Sequence, residues 1–274
     1  MTDRETLKRY LQQALQDRGS RADFDPWSGS GDRWARTQGP GDSRSRRAED
    51  GSFPPLPWDY RKKLLDFLKP DTTFLDMETG DGGLLLSLNH PYPLTAVTRQ
   101  GEKPHRSEER WFKSLGISVH PARGGKELPF PEDCFQVVSN YQGSYDLKEL
   151  FRVLRPGGFF VTQQLGGQND RSLIRRLLPG CSRGRPDFNL ENQRPLFEGA
   201  GFRVMYRNQA YGKAQFSNVR AVCRYAAAHP RRFPGFSVEA CLDSLMDLVR
   251  EMGQTGVVET ERHHWILIGK KERR

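Results

Sequence analysis

The sequence predicts an α/β fold, a doubly wound parallel sheet with helices on both faces. Three observations predict it. The first is Phe74-Leu75-Asp76-Met77-Glu78-Thr79-Gly80-Asp81-Gly82-Gly83, followed by Leu84-Leu85-Leu86-Ser87-Leu88. A short apolar run ends in an acid, a glycine turn follows, and an apolar run of helical length comes next: strand, tight loop, helix. The second is the alternation of short apolar runs with helical patterns over residues 73–165, the spacing of parallel strands joined by crossover helices. The third is Arg155-Pro156-Gly157-Gly158, where proline ends a helix and two glycines reverse the chain into another apolar run.

The elements follow in order. Leu7, Tyr10, Leu11, Ala14 and Leu15 keep helical spacing, so residues 3–17 read as an amphipathic helix. Residues 19–52 are rich in Gly, Ser, Arg and Asp and read as a long loop, with Phe24, Trp27 and Trp34 as its large apolar residues. Leu56-Pro57-Trp58-Asp59-Tyr60 opens a helix to about 68, stopped by Pro70-Asp71. The first strand spans 73–77 and the next helix about 81–89. A second strand covers 94–98, a helix 107–115, and a short third strand 117–119. The fourth strand is 135–139, apolar enough to be buried on both faces. A helix at 147–154 leads through the Arg155–Gly158 turn to a fifth strand at 159–164. Beyond lie helices at about 170–178, 193–200, 217–228 and 237–252, with Pro195 expected in a first turn, where proline is tolerated. Two late strands fall at 202–208 and 264–269. The domain reading is an N-terminal helix at 1–18, a flexible loop at 19–54 and one α/β domain at 55–274.

Gly80 and Gly82 can take positive φ and let backbone N–H groups approach a ligand closely. A helix opening near Asp81–Leu84 would aim its positive end at a carboxylate or phosphate. A purely structural βα turn fits the same two glycines. The formal charge is +9. The basic residues sit in separate groups, around Arg44, Arg171, Arg183, Arg231 and Lys270, with no interleaved aromatics. A solvated basic surface is therefore favoured over an RNA-binding one. Cys134, Cys181, Cys223 and Cys241 are scattered without metal-ligand spacing, which fits free thiols in a reducing cytoplasm. No apolar stretch reaches transmembrane length, and the charged start Met1-Thr2-Asp3-Arg4-Glu5 does not read as a signal peptide.

Four features in order resemble class I S-adenosylmethionine-dependent methyltransferases. They are the Asp-x-x-x-Gly-x-Gly loop at 76–82, the Leu128-Pro129-Phe130 turn, the run Arg152-Val153-Leu154-Arg155-Pro156-Gly157-Gly158, and the late strand pair at 202–208 and 264–269. More narrowly, 56–60, 87–92, 162–164 with Asn169-Asp170, and 233–238 look like an uncharacterised bacterial methyltransferase-domain group. The resemblance covers roughly residues 55–270. It implies a Rossmann-like seven-stranded sheet with a reversed last β-hairpin, and S-adenosylmethionine as cofactor.

The resemblance also implies a site. Asp76 would order the glycine loop and meet the cofactor's amino group. Glu78, Thr79, Gly80 and Gly82 would lie along its methionine and ribose part. Thr98 and Arg99 fall where an acid usually accepts from the ribose hydroxyls, and Glu102 is the nearest acid. The position after the third strand, near Ala122-Arg123, also lacks one. Asn140 and Tyr141, after the fourth strand, would line the methyl-transfer cavity. Each missing charge-assisted hydrogen bond is worth about 1.5–3 kcal/mol, so a modest cofactor affinity is expected.

Methyl transfer from a sulfonium needs little acid–base help. No catalytic triad is visible; His263 or His264 is the choice if a base acts, and the catalytic residue stays unassigned. Gln163 and Gln164 end the fifth strand at the carboxyl edge, where open sheets bind ligands, and alternation lets one of them face a cavity. They and Tyr60 are the expected acceptor-side residues, while Tyr60 and Trp58 fit equally well as a helix-start anchor. Asn169 and Asp170 fit a helix cap as well as a site. The expected function is S-adenosylmethionine-dependent methyl transfer to an unidentified acceptor, a small molecule rather than RNA, without metal or membrane. The alternatives are a degenerate methyltransferase fold acting as a binding or scaffold protein, and an RNA methyltransferase.

Overall fold

The computed structural model describes residues 4–16, 53–78, 82–100, 106–122, 127–181 and 185–272. The loop expected over 19–54 lies almost entirely outside them. The strands are β1 (Phe74–Met77), β2 (Thr95–Gln100), β3 (Ser118–Ala122), β4 (Phe135–Tyr141), β5 (Leu154–Leu165), β6 (Phe202–Phe216) and β7 (Val258–Lys271). The helices are α1 (Arg4–Gln16), α2 (Tyr60–Leu65), α3 (Gly83–Ser87), α4 (Arg106–Ser114), α5 (Leu147–Val153), α6 (Arg171–Leu177), α7 (Leu190–Gly199), α8 (Val219–Ala228) and α9 (Leu242–Thr255).

The strands form one seven-stranded sheet in the order β3-β2-β1-β4-β5-β7-β6. β1 pairs in parallel with β2 on one side and β4 on the other. β2–β3 and β4–β5 are also parallel. β7 runs antiparallel to β5, so the expected reversal near the chain end is present. Strand order changes direction at β1. The carboxyl ends of β1 and β4 therefore flank the switch point, the place where open α/β sheets bind ligands.

By contacts the chain forms two compact units. One comprises Leu56–Gly166, Pro186–Ala210 and His264–Arg274. Its core includes Leu75, Met77, Val138 and Phe160, from parallel strands buried on both faces, together with Trp265 and Leu267 of β7. The other comprises Met1–Pro55, Gly167–Arg185 and Tyr211–His263. There the apolar stripe of α1, Leu7 and Leu11, packs in one core with Leu173, Phe216, Val222, Leu245 and Leu248. Tyr10 keeps the helical spacing but stands out at 51% exposure.

Several expectations need correction. Arg155–Gly158 is a bulge within β5 and not a turn ahead of it. Phe135 pairs with Leu154 and Val137 with Phe159, so the intervening residues of β5 loop out. Gly157 takes φ 84°, and a Cβ on Gly158 would stand 2.9 Å from the carbonyl oxygens of Arg155 and Gln136. Pro195 is inside α7 and not in its first turn, because Asn189 starts the helix earlier by accepting from the Asn192 N–H at 2.9 Å. β2 runs on through Gln100, two residues past its expected end at Thr98. α3 spans only five residues, too short to accumulate a substantial macrodipole. β6 and β7 are much longer than the late strands expected at 202–208 and 264–269.

Candidate functional site

The register of β1 against β4 builds the centre of the site. Asp76 lies opposite Ser139 and Met77 opposite Asn140. In-register partners on parallel strands point to the same face, so the Ser139 hydroxyl donates to Asp76 Oδ1. Asp76 is only 3% exposed, and this bond satisfies one of its buried oxygens.

Glu78 follows with φ 56°, the left-handed conformation that glycine adopts without strain. The resembled loop carries a glycine here, and this chain keeps the glycine backbone while adding a carboxylate. The Glu78 N–H donates to Thr98 Oγ1 at 3.3 Å, which ties the end of β1 to β2. Glu78 Oε1 accepts the Ser144 N–H at 3.1 Å, tying it to the segment after β4. Thr98 is fully buried.

Thr79 and Gly80 lie outside the described residues, as does Glu102. Arg99 lies in β2, opposite Pro121 of β3. Gly82 caps α3 with φ 81°. A side chain there would run into the ring of Phe112, whose Cε1 stands 2.8 Å from the Cβ position. The small size of Gly82 is thus used by packing against α4.

The segment after β4 is held by amide hydrogen bonds. Gln164 Nε2 donates to Asn140 Oδ1 at 2.7 Å and lies 3.2 Å from the Gly143 carbonyl oxygen and 2.8 Å from Thr162 Oγ1. The Gly143 N–H donates to Asn140 Oδ1 at 3.2 Å, and Asn140 Nδ2 donates to the Ser144 carbonyl at 3.3 Å. The Gln142 N–H donates to the Gln163 carbonyl at 2.8 Å, which extends the β4–β5 ladder by one rung. Gln142 takes φ 56°, like Glu78. Its Nε2 is buried and has no hydrogen-bond partner among the described residues.

Gln163 and Gln164 part as strand alternation demands. Gln164 belongs to the Asn140 network, whereas Gln163 Oε1 accepts from Trp58 Nε1 at 2.6 Å. The Tyr60 hydroxyl donates to the Val161 carbonyl at 3.0 Å, and its ring lies 5.2 Å from that of Tyr141. Burial, with the nearby Asp76 charge, holds the Tyr60 phenol well above its usual range, so it stays protonated. Trp58 and Tyr60 thus anchor the start of α2 to β5, and Tyr60 reaches the site through Tyr141.

The other unit holds His263. Its Nδ1 accepts the Gln168 N–H at 3.2 Å, and its ring stacks on Tyr211 with centroids 4.3 Å apart. Burial pushes it down to about 4, so the ring is neutral at pH 7 with its proton on Nε2. Asp170 does not cap α6 with its side chain. Its Oδ2 accepts from Asn169 Nδ2 at 2.7 Å, from the Tyr225 hydroxyl at 2.9 Å and from Arg232. Glu261 meets the helix start instead, accepting from Ser172 N and Oγ at 2.7 and 2.8 Å. The short-range cap, one of the two readings the sequence left open for Asp170, loses to a carboxylate brought in by β7.

Sequence reasoning passed over Gly143 and Ser144. Their signal was present only as a polar stretch following a buried strand, which any surface loop shares.

Comparison with known proteins agrees with this architecture. No family model matches the chain. A segment of 118 residues is 28% identical to 2-methyl-6-phytyl-1,4-hydroquinone methyltransferase of Synechocystis sp., covering 40% of this chain and 37% of that protein. The match thus spans well under half of that relative. Among solved structures, a candidate methyltransferase of Bacillus halodurans C-125 superposes with a TM-score of 0.54 at 14% identity, over 78% of this chain and 99% of the other. The YcgJ protein of Bacillus subtilis superposes with a TM-score of 0.53 at 14% identity, with the same coverages. The fold is the Rossmann-like α/β fold of these structures.

Proposed function

We propose that the protein is an S-adenosylmethionine-dependent methyltransferase of the cytoplasm that acts on a small-molecule acceptor. The observation that carries this reading is the switch point, where Asp76 and Glu78 stand at the end of β1, Glu78 accepts from the Ser144 N–H, and Asn140 and Gln164 form an amide network near the ends of β4 and β5. A partly cationic amino-acid nucleoside suits that donor set. The acids answer the ammonium and the amides answer the carboxylate and hydroxyls, while the bare Cα of Gly143 lets the Glu78 carboxylate pack against the segment after β4.

When bound, the cofactor supplies an activated methyl group on a sulfonium sulfur. The chain's own task is to hold the donor and exclude water. Asp76, fixed by Ser139, and Glu78 orient the amino-acid end. Thr98 steadies the loop through the Glu78 N–H. Asn140, clamped by Gln164, fixes the segment that borders the transferred group. The resemblance to methyltransferases supports the reading, and the absence of a described helix long enough to cross a membrane is compatible with it.

Isothermal calorimetry with S-adenosylmethionine and S-adenosylhomocysteine tests it, and saturable binding of both is expected. A folded protein that binds neither would leave a scaffold role for a degenerate fold. The basic groups are spread along the chain, so any RNA binding should be weak and fade steeply with salt. Tight, sequence-selective RNA binding that survives high salt would make RNA the acceptor.

A further inference from the structure

We draw no further inference here: the strongest candidate, the outer edge of the sheet at β6, where Arg203, Met205 and Arg207 stand exposed, carries nothing, because nothing in the structure shows what covers it.

Discussion

Gly143 lies directly against the carboxylate of Glu78. A Cβ on Gly143 would stand 2.7 Å from Glu78 Oε2 and 2.8 Å from Asn140 Nδ2. Backbone φ does not demand glycine here, since Gly143 is not among the residues with positive φ. Its smallness serves the two side chains above it.

Gly143→Ala should therefore displace Glu78 and loosen the segment after β4. Overpacking of this kind costs about 1–3 kcal/mol, read as a lower midpoint in urea unfolding. The effect should shrink when Glu78→Gly is already present, because the obstructing carboxylate is gone. An unchanged penalty in the double variant would show that Asn140 alone sets the limit.

Trp58 and Gln163 form a buried pair at 2.6 Å. Trp58→Phe leaves Gln163 Oε1 without its donor in a site that is 1% exposed. A loss of about 1–3 kcal/mol is expected from the orphaned acceptor, besides the smaller ring. Trp58→Phe with Gln163→Leu should lose less than the sum of the single changes. Additive losses would mean that the hydrogen bond contributes nothing beyond packing.

Arg232 is the cation against Asp170, whose side chain is 1% exposed. Burial holds the Asp170 carboxyl above its ordinary range, opposed by the Arg232 charge and the Tyr225 hydroxyl. Arg232→Met should destabilise the protein by about 3–5 kcal/mol, because it strands a buried carboxylate. Adding Asp170→Asn should recover much of that loss. Equilibrium unfolding of the three variants measures both effects, and an additive double variant would sever the proposed coupling.

His263 sets a pH dependence. Burial depresses it to about 4 in the folded protein, against roughly 6.5 in an unfolded chain. As pH falls below about 6.5 the unfolded state gains a proton that the folded state refuses, so stability declines from there toward pH 4. His229, pushed by burial to about 3, adds to the same decline. The raised Asp170 carboxyl acts with the opposite sign, so the comparison must be between variants. His263→Leu should flatten the stability profile between pH 6.5 and 4 relative to the native protein. Parallel profiles would show that His263 takes up protons equally in both states.

The sequence by itself determined the alternation of elements, the parallel order of the first sheet half and the switch-point loop beginning at Asp76. These depend on local signals: short apolar runs, a proline that stops a helix, glycines that turn the chain. The same locality explains what was legible of the site. Asp76, Glu78, Asn140 and Gln164 fall at strand ends, and strand ends can be counted along a chain. Only the tertiary structure decided which of those residues meet. The β1–β4 register set Ser139 on Asp76, and a left-handed turn swung Glu78 onto Ser144. Asp170 illustrates the reason. Next to a helix start it has the chemistry of a cap, yet Arg232 and Tyr225, distant in sequence, bind it more strongly than the helix N–H groups. Local propensity amounts to about 1 kcal/mol for a cap, while a buried carboxylate needs several times that in compensation. Partners supplied by folding therefore outweigh neighbours supplied by sequence.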